Sequence, residues 1–214
     1  MHWVDRLERR FGRYAIPNLT AVLLACQAAV WAVTWFVNAN IYQMLTLTRS
    51  GVFDGQIWRL LTFLAVPTDF SVMGFLLTAY LYWFIGTALE QHWGDFQYML
   101  YLLLGTVGCI AAALLTGSCG NTYLYASLFL AFAVRFPDVQ LLLFFILPIR
   151  VKWLGIADGV LLLLAFVGGS GAEKLRILLS LLGFAVFFGP ELWRRCAAWV
   201  RRERWRRQNR NNWR

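Results

Sequence analysis

Long apolar runs separated by short polar breaks dominate the chain. In order, they predict six helices over roughly residues 16–37, 71–89, 96–116, 121–136, 153–169 and 174–191. The runs are continuously apolar and lack the period-two alternation of membrane β-strands. Several approach the ~20 residues that carry a helix across a bilayer core. The fourth and sixth are short for that distance and are expected where the bilayer thins or neighbours shield them. Between the first two runs, residues 38–70 include "GVFDGQIWRLLTFLAVPTDF". That stretch is too rich in Trp, Leu, Phe and Val for a solvated loop. It is expected in the membrane interface, partly embedded. "VQLLLFFILPIRVKW", ahead of the fifth run, is apolar but too short to span, and is expected to cling to the cytoplasmic face.

Composition agrees with an all-α membrane protein. The chain has 214 residues, 60% hydrophobic and only 14% charged, where a soluble domain carries about 25% charged residues. Three parts follow: a basic N-terminal segment (1–15), a six-helix transmembrane domain (16–192) and an Arg/Trp-rich tail (193–214). "VDRLERRFGRYAIPN" is followed by no small-residue cleavage site, so the first helix is expected to stay as an anchor.

Charge sets the orientation. Six spans place both termini on one side. That side receives Arg6, Arg9, Arg10, Arg13, Arg135, Arg150, Lys152 and nine tail arginines. The other side receives Arg49, Arg59, Lys174 and Arg176. The positive-inside rule then makes both termini cytoplasmic. In the tail, Trp193, Trp199, Trp205 and Trp213 alternate with arginine. This pattern suits a helix lying on anionic lipid, ahead of an acidic partner; nucleic acid is not an expected partner. The compact length points to a bacterial inner membrane.

The chemistry on offer is sparse. Cys26, Cys109, Cys119 and Cys196 show no metal-binding spacing, and no metal or cofactor is implied. They read as small apolar filler, with Cys119 and Cys196 on opposite sides of the membrane. The only histidines are His2 and His92. Both belong on the cytoplasmic side, and a hydroxyl near the opposite face has no base there. Lys152 is cytoplasmic, which leaves Lys174 as the only other lysine. Glu90 and Asp158 lie toward the cytoplasmic helix ends and are poor candidates for a carboxylate dyad. Asp158 is expected to pair with Arg150, Lys152 or Arg135. Almost no charge falls mid-span, which argues against a transporter or channel.

Four segments together resemble the rhomboid superfamily of intramembrane proteases and their inactive relatives. "GQIWRLLTFL" resembles the family's first-loop element at Trp58 and Arg59. "GTALEQHWG" resembles the end of its second helix at Gly86 and Glu90, with Gly94 following. "AFAVRFPDVQLLLFFILPIRVKWL", with Pro137, resembles the end of the fourth helix and its connection. "SLLGFAVFFG" resembles a degenerate sixth helix. The resemblance covers roughly residues 16–192.

The resemblance implies a serine in Gly-x-Ser-Gly on the fourth helix, a histidine base on the sixth and a His-x-x-x-Asn pair on the second. Here the serine position falls at Thr122, with Tyr123 in place of the glycine. The sixth-helix histidine position is Ser180, and the second-helix pair falls at Gly74 and Thr78. All four positions have departed.

The expectation is therefore an inactive rhomboid relative that binds or regulates transmembrane segments of client proteins. Its candidate groove residues are Asn121, Thr122, Ser127 and Ser180. Trp58 and Arg59 are expected either to anchor and shape the first loop, which the resemblance favours, or to be an ordinary interfacial Trp with a snorkelling Arg, and Glu90 is expected to tie the base of the second span. Ala126, Ser127, Ala131 and Ala133 on the fourth span are expected to pack against Ser180, Gly183 and Ala185 on the sixth. An active intramembrane serine endopeptidase with an atypical site, and a structural subunit of a membrane complex, are the alternatives.

Overall fold

A computed structural model describes residues 2–37, 40–143 and 147–189, plus residues 198, 201, 202 and 205. Side chains are described from residue 7 onward, leaving out 142–148. Most of the 193–214 tail, with Cys196, Trp193, Trp199 and Trp213, lies outside the described residues.

The chain opens with α1 (His2–Phe11), followed by the long apolar helix α2 (Leu19–Phe36). Three short pieces, α3 (Ile41–Leu45), α4 (Arg49–Phe53) and α5 (Arg59–Thr62), build the first loop around β1 (Leu47–Thr48). Next come α6 (Val72–Trp93) and α7 (Asp95–Thr116), then β2 (Ser118–Cys119) and α8 (Thr122–Arg135). A hairpin of β3 (Gln140–Leu143) and β4 (Leu147–Arg150) leads into α9 (Val151–Gly168) and α10 (Gly171–Ser180). After a turn at Leu181, residues 182–189 are helical again and form α11.

Among the described residues, four helices, α2, α6, α7 and α9, are long and apolar enough to cross a membrane. The protein is an all-α membrane protein in this sense. The fourth expected span is α8, whose 14 residues cover only about 21 Å at 1.5 Å per residue. The sixth is broken at Leu181 into α10 and α11.

Two ladders were not anticipated. β1 pairs antiparallel with β2, Leu47 opposite Cys119 and Thr48 opposite Ser118. β3 pairs with β4 from Gln140 opposite Arg150 to Leu143 opposite Leu147. The segment expected merely to lie along the cytoplasmic face thus satisfies its backbone groups within a hairpin, as an apolar surrounding demands.

Helix turns are set by glycine. Gly94 (φ 85°) closes α6 and Gly117 (φ 97°) closes α7, in a region that side chains disfavour. These two turns mark the opposite ends of the bundle.

Small residues fix the crossings, but not where the sequence reading put them. A Cβ on Gly108 of α7 would land on the Leu179 carbonyl oxygen. A Cβ on Gly183 of α11 would sit 2.9 Å from the Tyr101 carbonyl oxygen. The tightest small-residue contacts of the sixth helical segment are therefore with α7, not with α8. On α8, Ala133 faces Gly155 of α9 instead. Small residues occur on α2 and on each of α6 to α10, so their positions alone do not name the partner.

The core has two centres. Tyr98, Tyr101, Ile85, Leu89, Leu128 and Phe132 pack toward the Gly94 end. Leu47, Phe63, Cys109, Ala112, Cys119 and Leu124 pack beneath the first loop at the Gly117 end.

Candidate functional site

The first loop is organised by Arg59. Its Nε donates to Gln56 Oε1 at 2.6 Å, and its Nη1 donates to the carbonyls of Gln43 (2.9 Å) and Thr46 (2.8 Å). Gly51 leaves the space: a Cβ there would sit 2.5 Å from Arg59 Nε. A planar fork reaching several carbonyls at once is a task for arginine and not for lysine. Trp58 itself is exposed and supplies its carbonyl to the α5 turn.

Asn121, immediately before α8, joins this loop to the bundle. Its Nδ2 donates to the carbonyls of Phe63 (3.1 Å) and Val66 (2.7 Å). One turn further along α8, the Tyr125 hydroxyl donates to the Leu64 carbonyl at 3.0 Å and accepts from Gln27 Nε2 at 2.5 Å. Gln27 therefore ties α2 into the same network, and each buried polar group in it finds a partner.

Gly86 and Glu90 meet the start of α2. Glu90 Oε1 accepts the Leu19 amide at 2.7 Å. A Cβ on Gly86 would lie 2.5 Å from Thr20 Cγ2 and 2.9 Å from the Tyr98 hydroxyl. Thr20 Oγ1 donates to that hydroxyl at 3.0 Å. Gly94 follows as the turn, and the Pro137 carbonyl accepts the Lys152 amide at 3.2 Å, closing the base of the hairpin.

The positions that the resemblance set against catalytic residues lie as follows. Thr122 is exposed at the first turn of α8. Beside it, the Tyr123 hydroxyl donates to Glu173 Oε1 at 2.8 Å, bridging α8 to α10. Gly74 lies in the first turn of α6, where its amide donates to Ser71 Oγ at 3.1 Å. Thr78 Oγ1 donates back to the Gly74 carbonyl at 2.8 Å. Ser127 is fully buried; its hydroxyl donates to the Leu124 carbonyl at 2.7 Å and accepts from the Tyr101 hydroxyl at 3.0 Å.

Ser180 is also fully buried, and two thiols converge on it. Cys109 Sγ lies 3.3 Å and Cys119 Sγ 3.9 Å from its Oγ. Cys119 reaches the site because Gly117 reverses the chain after α7. Sequence reasoning missed this cluster. The nine residues between the cysteines match no short motif, and the Thr116-Gly117-Ser118 turn is the only local sign that the chain doubles back.

Among the candidate groove residues, Asn121, Ser127 and Ser180 are thus buried and committed to internal contacts, and Thr122 alone is exposed. The structure opens a groove elsewhere. A wholly apolar cavity of about 300 Å³ lies between α8, α9 and α10, lined by Leu130, Gly159, Leu162, Phe166 and Ile177 among others. A second cavity of about 430 Å³ shares Leu130 and continues along α8 and α9 to Lys152.

Asp158 pairs with none of its expected partners. Its Oδ2 is buried without a hydrogen-bond partner. Arg135 donates instead to His92 Nε2 at 2.6 Å, and Lys152 stacks over Trp153.

No family model, curated protein or solved structure matches the chain.

Proposed function

We propose that this chain is a rhomboid-like membrane protein that holds transmembrane segments of other proteins without cutting them. The observation that carries this reading is the apolar groove of about 300 Å³ between α8, α9 and α10. Leu163 and Leu178 at its margin are more than half exposed. Side chains of an apolar helix fit such a groove through van der Waals contact, the main source of helix association in lipid.

The vacated positions support the non-catalytic half. Peptide hydrolysis by a hydroxyl needs a base within hydrogen-bond reach. Ser180, at the histidine position, is in contact with thiols. His92 is engaged by Arg135, near the Gly94 turn and far along the bundle from Thr122. With Asn121, Ser127 and Ser180 committed internally, the client is held by shape and not by the hydrogen bonds expected from the sequence. Cytoplasmic termini, a tail on anionic lipid and a bacterial inner membrane complete the proposal.

The test places a photo-crosslinking residue at Leu163 or Leu178 in the groove, and at Val22 on the exposed face of α2. Irradiation in membranes is expected to give protein adducts from the groove positions, mapping to apolar partner segments of about 20 residues. Lipid adducts alone, or equal protein adducts from Val22, would overturn the groove assignment.

A further inference from the structure

Packing alone does not account for the surroundings of Cys109 and Cys119. A cysteine used as filler needs only apolar neighbours. These two are both buried, and both contact one hydroxyl, Ser180 Oγ, at 3.3 and 3.9 Å. Both are free thiols. They come from different elements, Cys109 from within α7 and Cys119 from β2, and only the reversal at Gly117 brings them together.

A cation completes the cluster. Arg176 of α10 lies over the turn between α7 and β2, its Nε donating to Thr116 Oγ1 at 3.0 Å and its Nη2 to Ser118 Oγ at 3.4 Å. Its charge acts on the neighbouring Cys119. The Cys119 thiol is held below its usual range, first by the neighbouring Cys109 thiol, against burial, and further by Ser180 and Arg176. A thiol held in this way supplies the thiolate that attacks disulfides.

We propose that Cys109 and Cys119 form a redox-active dithiol that closes to an internal disulfide by exchange with an organic disulfide. The Cys119 thiolate attacks one sulfur of the oxidant. The first oxidant thiolate leaves and takes up the proton that Cys119 has lost. The Cys109 sulfur then attacks Cys119 Sγ in the mixed disulfide and expels the second oxidant thiolate, which takes the Cys109 proton. One organic disulfide is reduced to two thiols, and the protein dithiol is oxidised by two electrons. The product staples the turn between α7 and α8 to the interior of α7 and removes both thiol contacts from Ser180. This inference is independent of the client-binding reading, since it concerns the opposite flank of α10 from the apolar groove.

The test uses the full chain in detergent, reduced, freed of reductant and incubated with oxidised glutathione. After denaturation, remaining thiols are alkylated and counted, and the peptides are mapped by mass spectrometry. Two of the four thiols are expected to disappear, with a Cys109–Cys119 linked peptide two hydrogens lighter than the reduced pair. Cys119→Ser is expected to abolish the link, and Cys109→Ser to stop at a mixed glutathione disulfide on Cys119. The readout on the parent protein stands even if a variant fails to fold. Four alkylated thiols after oxidation, a different cysteine pairing, or glutathione left on Cys119 of the parent chain would each overturn the proposal.

Discussion

Glu90, near the end of α6, accepts the backbone amide of Leu19 at 2.7 Å, so the second long helix caps the first. The carboxylate is buried, and the amide belongs to the first turn of α2, where no intrahelical acceptor exists. Removing the acceptor leaves the amide orphaned. Glu90→Ala is expected to destabilise the protein by roughly 1–3 kcal/mol. Glu90→Gln keeps an acceptor oxygen and is expected to recover most of that loss. Thermal unfolding of both variants in detergent distinguishes the two effects; equal losses would show that charge, not the cap, matters.

Glycine substitutions are predicted to rank by what a new Cβ meets. Gly108→Ala drives a methyl group into the Leu179 carbonyl, a backbone atom that cannot swing away. A Cβ at Gly159 would meet only Leu130 Cδ2, at an ordinary 3.7 Å. Gly108→Ala is expected to cost about 1–3 kcal/mol or more, and Gly159→Ala to be close to neutral. Unfolding midpoints measured side by side check the ranking, and a neutral Gly108→Ala would refute the close crossing of α7 and α10.

Arg59 predicts a local effect in the first loop. Arg59→Lys keeps the charge but not the fork that reaches Gln43, Thr46 and Gln56 together. Amide exchange in α3 and α4 is expected to quicken by about tenfold, the equivalent of ~1.4 kcal/mol, while α7 stays protected. Uniform quickening throughout the chain would instead mean that the loop supports the whole bundle.

Tyr125→Phe removes the hydroxyl that links Gln27 to the Leu64 carbonyl. Gln27 retains the Leu64 carbonyl as an acceptor at 3.1 Å, so the loss is expected to be about 1 kcal/mol. Gln27→Leu combined with Tyr125→Phe is expected to cost less than the two single changes added together, because both partners become apolar. A double-mutant cycle by thermal unfolding measures the difference; strict additivity would argue against a shared network.

Much of the helix order was legible in the sequence because lipid leaves a coarse signal. The expected run at 96–116 became Asp95–Thr116, and 71–89 became Val72–Trp93. What was missed depends on partners distant in the chain. "QLLL" and "LPIR" are apolar whether flat on a membrane or paired in a hairpin, and only their pairing makes them β3 and β4. The break at Leu181 has no Pro to announce it, only Ser180 before it and Gly183 after it. Gly105 and Gly108 read as ordinary small residues until α10 and Leu124 of α8 are set against them. At the candidate site, the first-loop role expected of Arg59 rested on the resemblance and not on residue type alone, and its hydrogen bonds run within that loop. The apolar groove was not legible, since leucines facing a cavity and leucines facing lipid look alike in sequence. Asp158 defeated the pairing argument for a related reason: proximity in sequence to Arg150 and Lys152 does not aim a helical side chain at them.

Retention without cleavage can be tested in both halves by one reconstitution. The purified chain is placed in vesicles with a generic rhomboid substrate whose transmembrane helix carries a photo-crosslinker, alongside Thr122→Ala and Ser127→Ala variants. An adduct mapping to the groove lined by Leu130, Leu162 and Phe166 is expected, with the substrate remaining full length in every sample. Cleavage by the parent protein that either substitution abolishes would contradict it and establish a peptidase with an unfamiliar centre.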